Sequence, residues 1–299
     1  IGDDLTPEVS GFVNYLNDDR TFGVTFTGSF QQRDSAAQGA FVNQWRVNEF
    51  DGSIPQSPDP ANPNSGDPIV LTNAPAMGQL FGIPSDLRYY MADRERERTN
   101  AQLTFQFAPN DKMKATLDYT YSRQDLFEAR AEQSIWMDDR YFTDLTFDDE
   151  TVKTPVHITQ ERRDLLPRDL GLALQELNQV NENKSIGLNL EYYVNDDLTL
   201  VFDLHNSSAE GRPDAPYGTW TNLGLGANVV RGQGVDFTGE FPIMYVDFDD
   251  VARDNLNGNG VLDQEDVGTS ILDMNFSSQD TEITQARLDG TYTLDTGSI

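Results

Sequence analysis

The chain has 299 residues and a strong acidic excess, with 50 aspartate and glutamate residues against 21 lysine and arginine residues and a net charge of -29. This charge repels nucleic acid, so nucleic acid is excluded as a partner, and it favours divalent cations or neutral ligands. A mean hydropathy of -0.55 and the lack of any apolar run of about 18 residues exclude helical membrane spans. The absence of cysteine excludes disulfide scaffolds, thiolate metal sites and cysteine nucleophiles.

The first periodic segment covers residues 9–32 and contains a strict alternation of apolar and polar side chains. Such alternation is typical of strands that have one apolar face and one polar face. Asn17-Asp18-Asp19 interrupts the segment with residues that tolerate the positive φ angles of a tight hairpin. The segment therefore predicts two antiparallel strands. The clearest apolar positions are Phe22, Val24, Phe26, Gly28 and Phe30.

Three further segments repeat this pattern, at residues 98–126, 183–208 and 281–295. Asn110-Asp111 and Asn195-Asp196-Asp197 divide the first two into hairpins, and Asp295-Thr296-Gly297 opens a turn after the last strand. The chain thus predicts seven strands, as three hairpins and one final strand. Their polar faces, which we expect to line a wet lumen, include Lys114, Asp118, Glu191, Asp203, Arg287 and Asp289.

Long excursions at residues 33–97, 133–181 and 211–280 separate the hairpins and exceed the ~12 to 15 residues typical of loops in compact domains. Residues 53–68 are rich in proline, asparagine and serine, which predicts a loop tip. Residues 167–180 predict a short helix, because Leu170, Leu174 and Leu177 share one helical face. Residues 226–248 predict a β-hairpin that extends the third loop outside the bilayer.

Short turns on one side and long loops on the other are typical of outer-membrane β-barrels. We therefore predict an all-β fold, an antiparallel meander of transmembrane β-barrel hairpins with long extracellular loops that forms part of a barrel. Two other classes remain open: a soluble calcium-dependent β-sandwich that binds glycans, because sandwich strands also alternate, and a secreted enzyme on a β scaffold.

Three segments resemble barrel hairpins of TonB-dependent receptors. They are LTFQFAPNDKMKATLDYTYS at 103–122, NKSIGLNLEYYVNDDLTL at 183–200 and QARLDGTYTL at 285–294. The resemblance implies a barrel of about 22 strands in the outer membrane of a Gram-negative bacterium, surrounded by lipid and closed by a plug that contacts TonB. It also implies uptake of a carbohydrate or a siderophore. The chain begins Ile1-Gly2 without methionine and contains no recognisable plug, so we expect that residues 1–299 are a partial barrel domain of a longer receptor.

One segment follows the layout of a calcium-binding loop. Residues 255–266 read NLNGNGVLDQED, with oxygen side chains at loop positions 1, 3 and 5, glycine at 6 and a carboxylate at 12. Asparagine at position 1 and aspartate at position 12 depart from the usual aspartate and glutamate. A solvated Asn/Gly turn without metal is the alternative. The predicted calcium ligands are Asn255, Asn257, Asn259, the Val261 carbonyl, Asp263 and Asp266.

Catalytic patterns are scarce, and we do not expect an enzyme. The chain has no His-Glu-x-x-His segment, nucleophile elbow, phosphate loop or dinucleotide fingerprint. The two histidines, His157 and His205, lie in unrelated segments. Trp45, Trp136 and Trp220 lie in or near the long loops, where they can stack on a sugar ligand or pack as loop and belt residues.

Overall fold

The computed structural model describes residues 5–54, 68–162, 166–214, 216–253 and 256–294, and in these ranges the chain is all-β apart from a 3₁₀ turn at Asp139–Tyr141. Most of the predicted loop tip at 53–68 lies outside the described residues. No helix in the described part of the chain is long and apolar enough to cross a membrane. The strands are β1 (Glu8–Leu16), β2 (Phe22–Phe41), β3 (Trp45–Glu49), β4 (Val70–Thr72), β5 (Leu80–Pro84), β6 (Asp86–Asn110), β7 (Met113–Trp136), β8 (Phe142–Phe147), β9 (Pro155–Glu161), β10 (Arg168–Tyr193), β11 (Leu198–Arg212), β12 (Trp220–Asp236), β13 (Ile243–Phe248), β14 (Val267–Asn275) and β15 (Gln279–Tyr292).

Seven long strands form an antiparallel sheet in the order β1, β2, β6, β7, β10, β11, β15, which we call the wall. The predicted antiparallel meander of seven strands is confirmed. Over the described residues the wall is an open sheet, in which β1 pairs only with β2 and β15 pairs only with β11. A closed barrel is therefore not observed over these ranges.

Cross-strand register keeps the two faces of the wall distinct. On the apolar face, Val24, Phe105, Leu117, Leu188 and Leu204 form one continuous row across five neighbouring strands. Directly paired residues in a sheet point to the same side, so this register places the alternating polar residues on the opposite, polar face.

The polar face is linked by side-chain contacts across the strands. Lys114 Nζ lies 3.2 Å from Glu191 Oε1, and Asn189 Nδ2 donates a hydrogen bond of 2.7 Å to Asp203 Oδ1. These contacts join residues of β7, β10 and β11 and are possible only in the observed register.

The wall strands run further than the sequence pattern predicts, so the excursions are shorter than expected. β2 continues to Phe41, β6 begins at Asp86, and β7 continues to Trp136. The apolar alternation stops in these parts, where residues 93–98 alternate acidic and basic side chains instead. A pattern based on hydrophobicity misses such a strand, although ladder hydrogen bonds and cross-strand ion pairs support it.

The predicted helix at 167–180 is wrong, because Arg168–Tyr193 forms a single strand of 26 residues, β10. Leu170, Leu174 and Leu177 fit a helical period, but Leu170, Leu172 and Leu174 also fit the strand period. β7 and β12 pair with the two edges of this segment, and those ladders select the strand.

Strands from the excursions pack at one end of the wall around a hydrophobic core, and we call this region the extension. It contains the two-stranded sheet β3–β5 together with β4, β8, β9, β12 and β13. Residues 226–248 include the antiparallel pair β12–β13, so the predicted hairpin is confirmed. The largest fully buried core side chains are Phe81, Leu87, Ile135, Leu145, Ile158, Val229, Val230 and Val235.

Candidate ligand-binding face

The polar face of the wall carries a cleft of about 420 Å³ between the middle of β10, the end of β11 and the start of β15. Asn181, Gly211 and Gln279 lie in one cross-strand row, and Gln179 and Asn183 flank Asn181 on the same face. Gly211 opens the centre of this row, because an added Cβ would lie 3.3 Å from Asn181 Oδ1. Amide groups, which both donate and accept hydrogen bonds, thus line part of the cleft. The rest of the lining consists of Ala209, Glu210, Ser277, Ser278 and Thr281.

The sequence does not reveal most of the cleft residues, because its pattern predicts a loop or a helix at their positions. Gln179 donates through Nε2 to Asn181 Oδ1 at 3.2 Å, so neighbouring amides of β10 orient one another. Alternation of Gln175, Gln179, Asn181 and Asn183 at odd positions was the signal that could have revealed a polar strand face.

Two of the three tryptophans that could stack on a sugar or pack as loop and belt residues lie on the polar face. Trp220 of β12 is opposite Leu177 of β10, one row from the cleft residue Gln179. Trp136 of β7 is opposite Asp86 of β6. Trp45 lies elsewhere, in the β3–β5 sheet, with its ring centroid 6.0 Å from that of Phe237. The predicted tryptophan group is therefore divided between two places.

Trp136 belongs to a cluster of charged and aromatic side chains on the polar face, where β6 begins and β7 ends. The Arg88 guanidinium lies 4.8 Å from the centre of the Trp136 ring, and its Nε donates to the buried Asp86 carboxylate at 2.6 Å. Arg130 lies 4.3 Å from the centre of the Tyr90 ring. Such contacts hold the rings rigidly, although they also occupy one face of each ring.

Small residues occupy two of the rows between Trp136 and Trp220 on the polar face. Gly171 and Ala173 of β10 lie beside Gly226 and Gly224 of β12, respectively. At Gly171 an added Cβ would lie 2.6 Å from Ser134 Oγ, so a larger residue would displace the β7 side chain. The backbone of β10 is consequently packed closely against Ser134 and Trp136 of β7 at this point.

The predicted calcium loop lies between β13 and β14, and Asn255 falls outside the described residues. The Asp263 carboxylate accepts hydrogen bonds from Asn257 Nδ2 at 2.9 Å and from Asn259 Nδ2 at 2.7 Å. The backbone N–H of Glu265, followed by the Asn259 side chain, lowers the pKa of Asp263 below its ordinary value. The loop is thus ordered around the Asp263 carboxylate.

Two buried carboxylates contact the backbone of this loop, one at its last position and one upstream of it. Asp266 is 4% exposed and accepts from the Asp263 backbone N–H at 3.2 Å. Asp250 is also 4% exposed and accepts from the Gly260 backbone N–H at 2.7 Å, where Gly260 has a φ of 79°. The sequence layout did not include Asp250 among the ligands. The Val261 backbone N–H donates to Asn259 Oδ1 at 2.7 Å, so that amide oxygen already serves the turn.

Over the described ranges, no three His, Cys, Asp or Glu side chains form a group that could hold a metal ion. Calcium binding at residues 255–266 therefore stays a prediction. His205 lies on the polar face opposite Gly187, and His157 Nδ1 lies 3.7 Å from Asp236 Oδ1 in the extension. The two histidines are not part of one site.

Comparison with protein-family models, with curated proteins and with solved structures found no match to the chain.

Proposed function

We propose that the chain forms part of the wall of a β-barrel in the outer membrane of a Gram-negative bacterium and carries a polar solute across it. The exposed apolar face carries this proposal. Leu117, Leu188 and Leu204 are paired across neighbouring strands and are 40%, 36% and 42% exposed. Contiguous apolar surfaces of this extent mark contact with a membrane or with another protein.

The height of the apolar face matches a bilayer. On β7 the apolar positions run from Met113 to Tyr121. These nine residues rise roughly 27 to 30 Å along the strand at about 3.3 Å per residue. At the ~45° tilt of barrel strands this gives about 20 Å, close to the ~25 Å apolar band of outer-membrane barrels.

Charges bound the apolar band at both ends. Below it, the hairpin turns contain Asn17-Asp18-Asp19 and Asn110-Asp111. Above it, the same face continues with Glu97 and Glu95 on β6 and with Arg123 on β7. An abrupt change from apolar to charged side chains on one face of a strand is expected where a strand leaves hydrocarbon for water.

The polar face supports transport of a hydroxylated solute such as an oligosaccharide. The cleft residues Asn181 and Gln279 supply amide donors and acceptors, and Trp220 supplies a ring one row away. Amides and aromatic rings together bind the hydroxyl groups and the apolar ring faces of sugars. A siderophore as the ligand and energy coupling through TonB are proposals that rest on the family resemblance alone. We do not assign an enzymatic activity.

The alternative is a soluble calcium-dependent β-sandwich that binds glycans. In a sandwich, a second sheet covers the apolar face. Leu117, Leu188 and Leu204 are exposed instead, and the buried core of the described chain lies in the extension. This difference favours the membrane wall over the sandwich.

Nitroxide labels on the two faces test the proposal. Labels at Leu188 and Leu200, in the chain inserted into lipid vesicles, are expected to collide with oxygen dissolved in lipid. Matched labels at Asn189 and Asp203, on the polar face, are expected to collide with a water-soluble nickel chelate. If Leu188 and Leu200 report water as strongly as the two control sites, the membrane proposal is wrong.

A further inference from the structure

We propose that the polar face beside the cleft binds a carboxylated oligosaccharide through a ladder of four arginines, Arg33, Arg94, Arg96 and Arg98. The last three occupy every second position of β6, so they share the polar face with Gln102 and Thr104. Arg33 of β2 lies directly opposite Arg96. This proposal rests on the proposed function, in which the polar face lines a water-filled lumen. It adds the chemical class of the ligand.

Strand alternation separates the charges of β6. In residues 93–98 the acidic side chains Asp93, Glu95 and Glu97 occupy odd positions, and the arginines occupy even positions. Successive side chains of a strand point to opposite faces, so the carboxylates lie on one side of the sheet and the guanidinium groups on the other. A chain with a net charge of -29 thus has a locally basic patch on its polar face.

Two of the four arginines lack an anionic partner in the described chain. Arg94 pairs with Glu128 and Arg98 donates to Gln124 Oε1 at 2.8 Å, but Arg33 and Arg96 have no carboxylate within 4.0 Å among the described residues. Arg96 Nε is also buried without a hydrogen-bond partner. Like charges directly opposite each other in a sheet destabilise it. An anionic ligand would remove this cost.

The other acidic group on this part of the polar face is already engaged. Glu8 of β1 accepts a hydrogen bond of 2.9 Å from Gln31, which lies opposite Arg98. The ladder therefore has guanidinium N–H groups left for a ligand, and the guanidinium fork matches a carboxylate with two parallel hydrogen bonds.

The position of the ladder identifies an oligosaccharide as the carrier of the carboxylates. Arg98 shares a cross-strand row with Gln124 and the cleft residue Asn181, about 10 Å away at ~4.8 Å per strand. Two rows further along β6, Arg94 lies in a cross-strand row with Glu128, Leu177 and Trp220. Carboxylate, hydroxyl and apolar ring faces occur together in uronic acid oligomers, and this surface offers a partner for each.

Calorimetric titration of the full chain in detergent micelles tests the assignment. The probes are trigalacturonate, the neutral trisaccharide maltotriose and inorganic phosphate. We expect trigalacturonate to bind at least about tenfold more tightly than maltotriose, with an affinity that falls as salt is added. Equal affinities would overturn the assignment. Phosphate that displaces trigalacturonate at equal concentration would mean that any small anion binds, and it would also overturn it.

A pair of matched variants locates the site. The double variant Arg33→Gln, Arg96→Gln should weaken trigalacturonate binding about tenfold or more. The control is the double variant Arg123→Gln, Arg212→Gln, which removes the same charge from the opposite face. It should leave trigalacturonate binding unchanged. The first variant should also melt at a higher temperature, because it removes a like-charge pair. Unchanged binding in the first variant would refute the ladder.

The failure of this proposal and the failure of the membrane proposal can be distinguished. If the labels at Leu188 and Leu200 report water but the arginine variant still loses trigalacturonate binding, only the membrane proposal fails. If the labels report lipid and trigalacturonate binds no better than maltotriose, only the ligand assignment fails.

Discussion

A depth profile of arginine substitutions on the apolar face tests whether the wall lies in a bilayer. Leu117 lies at the centre of the apolar segment of β7, four residues from Met113 on one side and from Tyr121 on the other. Four residues rise about 13 Å along the strand, or about 9 Å along the membrane normal at a ~45° tilt. The three positions therefore sample the middle and both edges of the proposed band.

The expected cost depends on this depth. An arginine on the lipid face of a barrel costs about 2 to 4 kcal/mol at the midplane and about 0 to 1 kcal/mol near the interfaces. Leu117→Arg should therefore lower the free energy of unfolding by about 2 to 4 kcal/mol, and Met113→Arg and Tyr121→Arg by about 1 kcal/mol or less.

Reversible urea unfolding of the chain in lipid vesicles, followed by tryptophan fluorescence, measures these changes. Thr116→Arg is the matched control, because Thr116 is the sequence neighbour of Leu117 on the polar face. A water-exposed face has no depth dependence. Equal losses at Met113, Leu117 and Tyr121 would therefore refute the reasoning, as would a loss in the control as large as that at Leu117.

Three further predictions concern the extension and the predicted calcium loop. Phe81→Ala should lower the free energy of unfolding by about 3 to 5 kcal/mol in urea titrations, because the ring is fully buried; a loss below 1 kcal/mol would contradict the core. The hydrogen bond from Arg231 lowers the pKa of Asp249 in the folded chain. The ionised Asp249 therefore stabilises the fold fully above its unfolded pKa, and this stabilisation is lost as pH falls through the lower, folded pKa. Asp249→Asn should flatten the fall of the melting temperature below pH 4. Calcium should bind at about 10⁻⁴ to 10⁻³ M; identical calorimetric heats from the parent chain and an Asp263→Ala, Asp266→Ala variant would exclude the loop as its site.

The part of the wall next to the tight hairpin turns, here called the lower wall, was predictable because its two faces differ in hydrophobicity. Val24, Phe105 and Leu188 belong to strands far apart in the sequence, yet each alternates with polar neighbours, and tight Asn/Asp turns set the order of the strands. Period-2 alternation and turn chemistry are local signals, so a single sequence is enough to read them.

The part of the wall next to the extension, here called the upper wall, and the candidate site were not predictable by the same means. Residues 93–98 and 175–183 are polar at most positions on both faces, so no hydrophobic period marks them as strands. What makes residues 175–183 a strand is pairing with β7, a segment more than forty residues away along the chain. Such long-range pairing decides between strand and helix for segments with mixed periods, and it also decides which amides share a cleft.

The register between β2 and β6 connects the membrane proposal with the ligand proposal. Lower down, this register pairs Val24 with Phe105 on the apolar face, and higher up it pairs Arg33 with Arg96 on the polar face. A slip of one residue would move apolar side chains of β6 to the polar face and Glu95 and Glu97 into the arginine ladder. The unfavourable apposition of two arginines is thus maintained by apolar pairing some 30 Å away along the strands, at about 3.3 Å per residue. Apolar pairing at one end of a sheet can thus hold like charges side by side at the other end. An anion-binding site on the wall requires such a group of like charges.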